Sequence, residues 1–238
     1  MALLLSVAAC NDNDDLPRPG FSKVELHAAA SSNSGGGTVT IGDFAVSDFI
    51  VGTQEVNMMY LPAAAVEAGV TIENGTLKPN NDAPLAKSAS EARELIVVTE
   101  GDHQTVKIGE GETHNGIYSE ITFKLHKITG PSVNDVVSGK SFFLSGDWNG
   151  TAVVIFLENE ESILAPSRSA EGYEVSGKSS FIINFNLDRI LANVNFGAAE
   201  DFNQNGIIEI GPNNVDANGS IYTVIRNNIN ASVNFEVE

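Results

Sequence analysis

Basic residues are scarce in this chain: 13 Lys and Arg stand against 31 Asp and Glu, a formal net charge of −18. That balance excludes nucleic acid as a partner, because a polyanion is repelled by so anionic a protein. Cysteine is scarcer still, with one in 238 residues, which leaves no internal disulfide and no thiolate metal cluster. No apolar run approaches the roughly 20 residues of a membrane-spanning helix. Aromatic residues make up 7%, too few for a long platform on which sugars stack. The chain has no G-x-S-x-G elbow, and Gly35-Gly36-Gly37 is not followed by the Lys-Ser/Thr start of a phosphate-cradling loop. A glycosidase needs two carboxylates at a set separation, and among 31 acids no pair stands out. What is present is a 42% hydrophobic fraction with only 18% charged residues. This excludes a disordered acidic tail and suits a globular chain with a sizeable core.

The setting of the lone cysteine is informative. Residues 2–9 are apolar or small and run into Val7-Ala8-Ala9-Cys10, after which Asn11-Asp12-Asn13-Asp14-Asp15 is abruptly polar and acidic. A short apolar stretch ending in small residues is the pattern of an export signal rather than of a helix in the fold. The Val7-Ala8-Ala9-Cys10 tetrapeptide resembles the lipobox of bacterial lipoproteins, and the acids behind it resemble the surface-export signal of Bacteroidota lipoproteins. The resemblance implies a signal peptide over residues 1–9 that is removed before Cys10, and diacylation of Cys10. It also implies an acidic tether over residues 10–20 that holds the protein on the outer face of the outer membrane. No Lys or Arg precedes Cys10, so residues 1–9 read as a truncated signal peptide. The competing reading of Cys10 is a small buried hydrophobe. Lipid chains would supply membrane affinity at about 0.8 kcal/mol per buried CH₂, with no protein segment inserted.

From Phe21 onward the dominant signal is period-two alternation bounded by Gly and Asn. Residues 118–128 place Ile121, Phe123 and Leu125 on one face and Thr122, Lys124 and His126 on the other. Residues 179–187 place Phe181, Ile183, Phe185 and Leu187 opposite Asn184 and Asn186. Residues 140–144 and 151–157, joined through Gly146-Asp147-Trp148-Asn149-Gly150, read as a hairpin. Further strands are expected over residues 22–28, 38–46, 55–61, 92–99, 104–108 and 232–237. Helical signals are few. Residues 62–69 carry Pro at the first turn and Gly beyond the end. Residues 188–194 begin with Asp188 as an N-cap, and residues 220–230 space Ile221, Val224, Ile225 and Ile229 for one helix face. Residues 35–37 and 79–90 read as loops. Many short strands with turns between them predict a mainly-β protein, an immunoglobulin-like antiparallel β-sandwich over residues 21–238. Residues 188–231 form a short helical, loop-rich excursion from it. A split into two domains near Gly130-Pro131 is the alternative.

One segment carries metal-ligand spacing. In residues 201–210, Asp201, Asn203 and Asn205 place side-chain oxygens at alternate positions, Gly206 permits a sharp turn, and Ile207 offers a backbone carbonyl. A hard cation such as Ca²⁺ needs several oxygens converging at about 2.4 Å, and over about ten residues the segment resembles EF-hand and dockerin loops. The twelfth position is Pro212 rather than an acid, so closure falls to Glu209, Asp216 or Glu200. A single strong acid in the front half places the affinity at about 10⁻⁴–10⁻³ M, the range of extracellular sites. Such a calcium ion would order the excursion rather than take part in chemistry. The alternative is an Asx-rich turn satisfied by its own backbone.

Other residues carry weaker signals. Trp148 at the hairpin tip is a candidate ligand-binding ring, stacking on a sugar, or else a tryptophan that covers the sheet. His103 and His114 flank Glu110 and Glu112, with Asp102 just ahead of His103, but match no zinc spacing and read as solvated loop histidines. Gly116-Ile117-Tyr118-Ser119-Glu120-Ile121 resembles the Gly-x-Tyr start of a central strand in uncharacterised β-sandwich lipoproteins of Bacteroidota. That resemblance implies surface anchoring and a sandwich, and it supplies no activity. The expected function is therefore a cell-surface lipoprotein that is not an enzyme, binding a glycan or a surface protein through its loops. A surface-tethered hydrolase of polysaccharide or protein is the alternative.

Overall fold

The computed structural model describes residues 20–33, 38–61, 69–73, 76–80, 91–129 and 136–238. Cys10 with its apolar and acidic flanks, Gly35-Gly36-Gly37, residues 62–68 and 81–90, and Gly130-Pro131 lie outside them. The first half of the chain forms β1 (Phe21–Ser31), β2 (Thr40–Ile41), β3 (Phe44–Leu61), β4 (Gly69–Glu73), β5 (Thr76–Asn80), β6 (Arg93–Thr99), β7 (Asp102–His103), β8 (Thr105–His114) and β9 (Gly116–Leu125). The second half adds β10 (Phe142–Trp148), β11 (Thr151–Leu157), β12 (Ser162–Pro166), β13 (Tyr173–Val175), β14 (Ser179–Asn186), β15 (Ile207–Ile210) and β16 (Val233–Val237), with helices α1 (Leu187–Ile190) and α2 (Gly219–Ser232).

The protein is mainly β, a sandwich, and among the described residues its helices lie in the C-terminal region. The strands form where inward apolar residues alternate with outward polar ones. In β1, Val24, Leu26, Ala28 and Ala30 are buried while their neighbours are half-exposed. Ile121, Phe123 and Leu125 of β9 and Phe181, Ile183 and Phe185 of β14 are buried on the same logic.

β3 organises the two layers. Its first half pairs with β10 on one edge and β6 on the other; its second half pairs with β9 and β4. The register slips between Gln54 and Asn57, and Glu55 there has φ +52°, a bulge that re-aims the strand between its two sets of partners. Gly52 sits just ahead of it, where a Cβ would stand 2.0 Å from the His126 carbonyl oxygen. Phe185 then bridges the layers, with ring centroids 5.7 Å from Phe49 of β3 and 6.0 Å from Phe123 of β9. One continuous core cluster runs from Val24 to Phe235 and takes side chains from both sides of residue 130.

Among the described residues most strand pairs are antiparallel, but three are parallel: β1–β14, β11–β15 and β5–β8. Parallel neighbours need long crossovers, and here each pair is separated by whole elements of the chain. Several local expectations are corrected. Residues 38–46 are not one strand but a tight hairpin, since Gly42 (φ +60°) turns β2 back on β3. Gly69 opens a strand, and Pro79 and Asn80 end one. Asn186, not Asp188, caps α1: its side chain accepts from the Arg189 N–H at 2.9 Å, while the Asp188 carboxylate accepts from the Asn33 N–H. The helix expected over 220–230 is α2, burying Ile221, Ile225 and Ile229 at four-residue spacing with Val224 half-exposed.

Candidate functional site

The segment between α1 and α2 is held together by short polar side chains that bond the backbone. Asp201 begins a tight loop in which its carboxylate accepts from the Asn205 and Gly206 N–H groups at 3.1 and 2.9 Å. The Asn203 side-chain oxygen also accepts from Asn205 N–H, and the Asn205 oxygen accepts from Ile207 N–H. All three side chains therefore turn their oxygens toward the loop's own backbone. Gly206 takes φ +88°, the left-handed turn that its place in the pattern calls for. Ile207 leaves the loop directly into β15, which pairs with β11 so that Ile208 and Ile210 are buried.

Asp216 reaches this loop from the far side. It is 6% exposed, and its two oxygens accept from Asn203 N–H at 3.2 Å and Glu209 N–H at 3.0 Å. The Glu209 carboxylate accepts from the Asn203 side-chain amide at 3.1 Å. All six residues with calcium-ligand spacing thus lie in one connected unit, and Asp216, 13 positions from Asn203 in sequence, is brought beside the front half of the loop. Among the described residues no three His, Cys, Asp or Glu side chains gather closely enough to hold a metal ion. A calcium loop built on one carboxylate plus amide and carbonyl oxygens is a different donor set. The residues present fit that set: hard oxygens turned inward, a glycine turn, and a second carboxylate alongside.

Asn218 is the organising residue that sequence reasoning missed. At 2% exposure, its amide donates to the carbonyls of Glu200 (2.8 Å) and Glu209 (2.9 Å), and its oxygen accepts from Glu200 N–H. It ties the loop, β15 and the start of α2 together. Its signal in the sequence is only an Asn before Gly219-Ser220, which marks a helix start without revealing the partners. Asn213, Asn214, Asp216 and Ala217 all have positive φ, and Asn214 accepts from the Gly219 N–H at 2.8 Å. Asn and Asp tolerate that conformation better than other side chains.

Trp148 is placed as the hairpin predicts, opposite Thr151 with Asn149 (φ +52°) and Gly150 (φ +84°) in the turn. Its ring stacks on Phe196 at 6.4 Å and 29°, and Phe196 in turn stacks on Phe44 at 4.9 Å. One face of the indole is therefore covered by protein. His103 and His114 are not in loops: His103 is in β7, and His114 ends β8 with its ring 4.3 Å from that of Phe21. The register sets Thr105 against Ala29 and His114 against Phe21, so the two histidines stand at opposite ends of β8 and share no site.

One Ser–His–acid group is brought together by β1, β14 and β16. His27 Nδ1 lies 3.3 Å from the Ser180 hydroxyl and 3.2 Å from the Glu238 carboxylate, and that hydroxyl donates to Glu238. A catalytic relay needs the serine and the acid on opposite nitrogens of the ring. Here Glu238 and Ser180 approach the same nitrogen and the hydroxyl donates to the acid, while Glu25 stands 4.0 Å from the opposite nitrogen, beyond hydrogen-bond reach.

No family model, curated protein or solved structure matches the chain.

Proposed function

We propose that the protein is a cell-surface lipoprotein, anchored to the outer membrane through lipid on Cys10, whose sandwich has a non-catalytic binding or adhesion role toward a glycan or a surface protein. The observation that carries this reading is the position of Cys10, between an apolar run and an acidic one and shortly before the first strand. β1 pairs on both edges, with β8 and β14, so the tether would lead into the interior of a sheet rather than to a fraying edge. A load on the anchor would then be borne by two hydrogen-bonded ladders. The 200–219 segment adds a calcium site of structural role, with Asp201, Asn203, Asn205 and the Ile207 carbonyl as ligands and Glu209 or Asp216 closing it. In a bacterial host fed labelled palmitate, the wild-type chain should take up label and Cys10→Ala should take up none. Equal labelling of the variant would overturn the anchor.

A further inference from the structure

Alternation places Asn184 and Asn186 on the side of β14 away from the core, and this outward face forms a concavity of about 440 Å³. Its floor is the β14–β16 ladder, where Asn184 and Asn234 stand directly opposite each other. Its walls are the end of β1 with Ser32 and Asn33, the Pro166-Ser167-Arg168 turn after β12, and Arg189 of α1. The volume falls in the roughly 300–1,000 Å³ range of small-molecule sites.

The lining is almost wholly polar. Among the described residues Pro166 supplies the one apolar ring and no aromatic residue contributes, so an apolar ligand would gain little from burial there. Asparagine amides and serine hydroxyls each offer both donors and acceptors, which matches a ligand that carries several hydroxyl groups. The side-chain oxygen of Asn234 is buried and has no hydrogen-bond partner.

Charge narrows the class. Arg168 pairs with Glu236 at 2.7 Å, whereas among the described residues no carboxylate pairs with the Arg189 guanidinium. In a chain of net charge −18 an unpaired arginine at the rim of a polar concavity is unusual. Its planar fork fits a carboxylate in a bidentate pair. We infer that this concavity binds a carboxylate-bearing sugar, a hexuronic acid unit, with its hydroxyls on Asn184 and Asn234 and its acid on Arg189. The inference deepens the binding role proposed above, but it is independent of the lipid anchor.

The test titrates the full chain calorimetrically with digalacturonate, with uncharged cellobiose and with inorganic phosphate. Digalacturonate should bind saturably and at least about tenfold more tightly than cellobiose, a difference of one well-placed ion pair. Arg189→Gln, a change at an exposed position, should reduce digalacturonate binding to the cellobiose level. Asn234→Ala should weaken both sugars, with unchanged melting temperatures confirming that both variants fold. Digalacturonate binding that is absent at millimolar concentration, unchanged in Arg189→Gln, or no stronger than that of phosphate would overturn the assignment. None of these results bears on palmitate labelling, so failure here and failure of the anchor are read separately.

Discussion

At Asn218 one side chain closes three backbone groups that no regular element reaches: the N–H and carbonyl of Glu200 and the carbonyl of Glu209. Removing it leaves these part-buried groups without a protein partner, and water can reach some of them, so the loss falls below the roughly 1–3 kcal/mol of each fully buried orphan. Asn218→Ala should therefore lower unfolding stability by about 1–2 kcal/mol, read from urea denaturation with an unchanged slope. A loss under about 0.5 kcal/mol would mean that water replaces the side chain without penalty. Tyr118 plays a comparable part at the start of β9. It is fully buried, and its hydroxyl meets Thr113 and donates to the His114 carbonyl. The Gly116-x-Tyr118 pattern predicts a tyrosine carried into a strand, and the strand is there. Its hydroxyl partners could not be read from the pattern, because both lie in the strand before it.

Among the elements, β16 shows how a short strand is secured at its end. Glu238 N–H donates to the Ser180 carbonyl, and the Glu238 carboxylate accepts from the Ser180 hydroxyl beside His27. The Ser180 hydroxyl first, and the His27 charge after it, hold this carboxyl below its ordinary value of 4.5. A carboxyl with a lowered folded value stabilises the fold above its unfolded value, and that contribution is lost as pH falls through the folded value. The end of β16 should therefore loosen only below about pH 4.5. Amide exchange at Glu238, corrected for the intrinsic pH dependence, should rise there, and Ser180→Ala should move the rise to higher pH. A profile unchanged in Ser180→Ala would show that the hydroxyl contributes nothing. Alternating strands such as β1, β9 and β14 were legible because period two with one buried face is a local signal. β15 was not: its four residues, Ile-Ile-Glu-Ile, are a strand only because the edge of β11 is there to pair with them.

For the whole molecule, the C-terminal excursion is tied to the core through β15 and through α2, whose Ile221, Ile225 and Ile229 belong to the common cluster. Ordering the 201–210 loop should then register in global unfolding, since a ligand bound only by the folded state stabilises it by mass action. Millimolar Ca²⁺ should raise the melting temperature by a few degrees, and Asp201→Ala should remove that increment; equal melting with Ca²⁺ and with EDTA would sink the calcium site. By itself the sequence determined the mainly-β class, most strand faces, the hairpin at Trp148 and a helix over residues 220–230, all set by local spacing of apolar, turn and polar residues. Tertiary structure alone decided that β3 runs unbroken through two sets of partners and that β1 lies parallel to β14. It alone brought Asp216 under the Asp201 loop and set Asn184 against Asn234 across a polar concavity. Those are pairings between residues distant in the chain, and no local spacing encodes which distant edge a strand will meet.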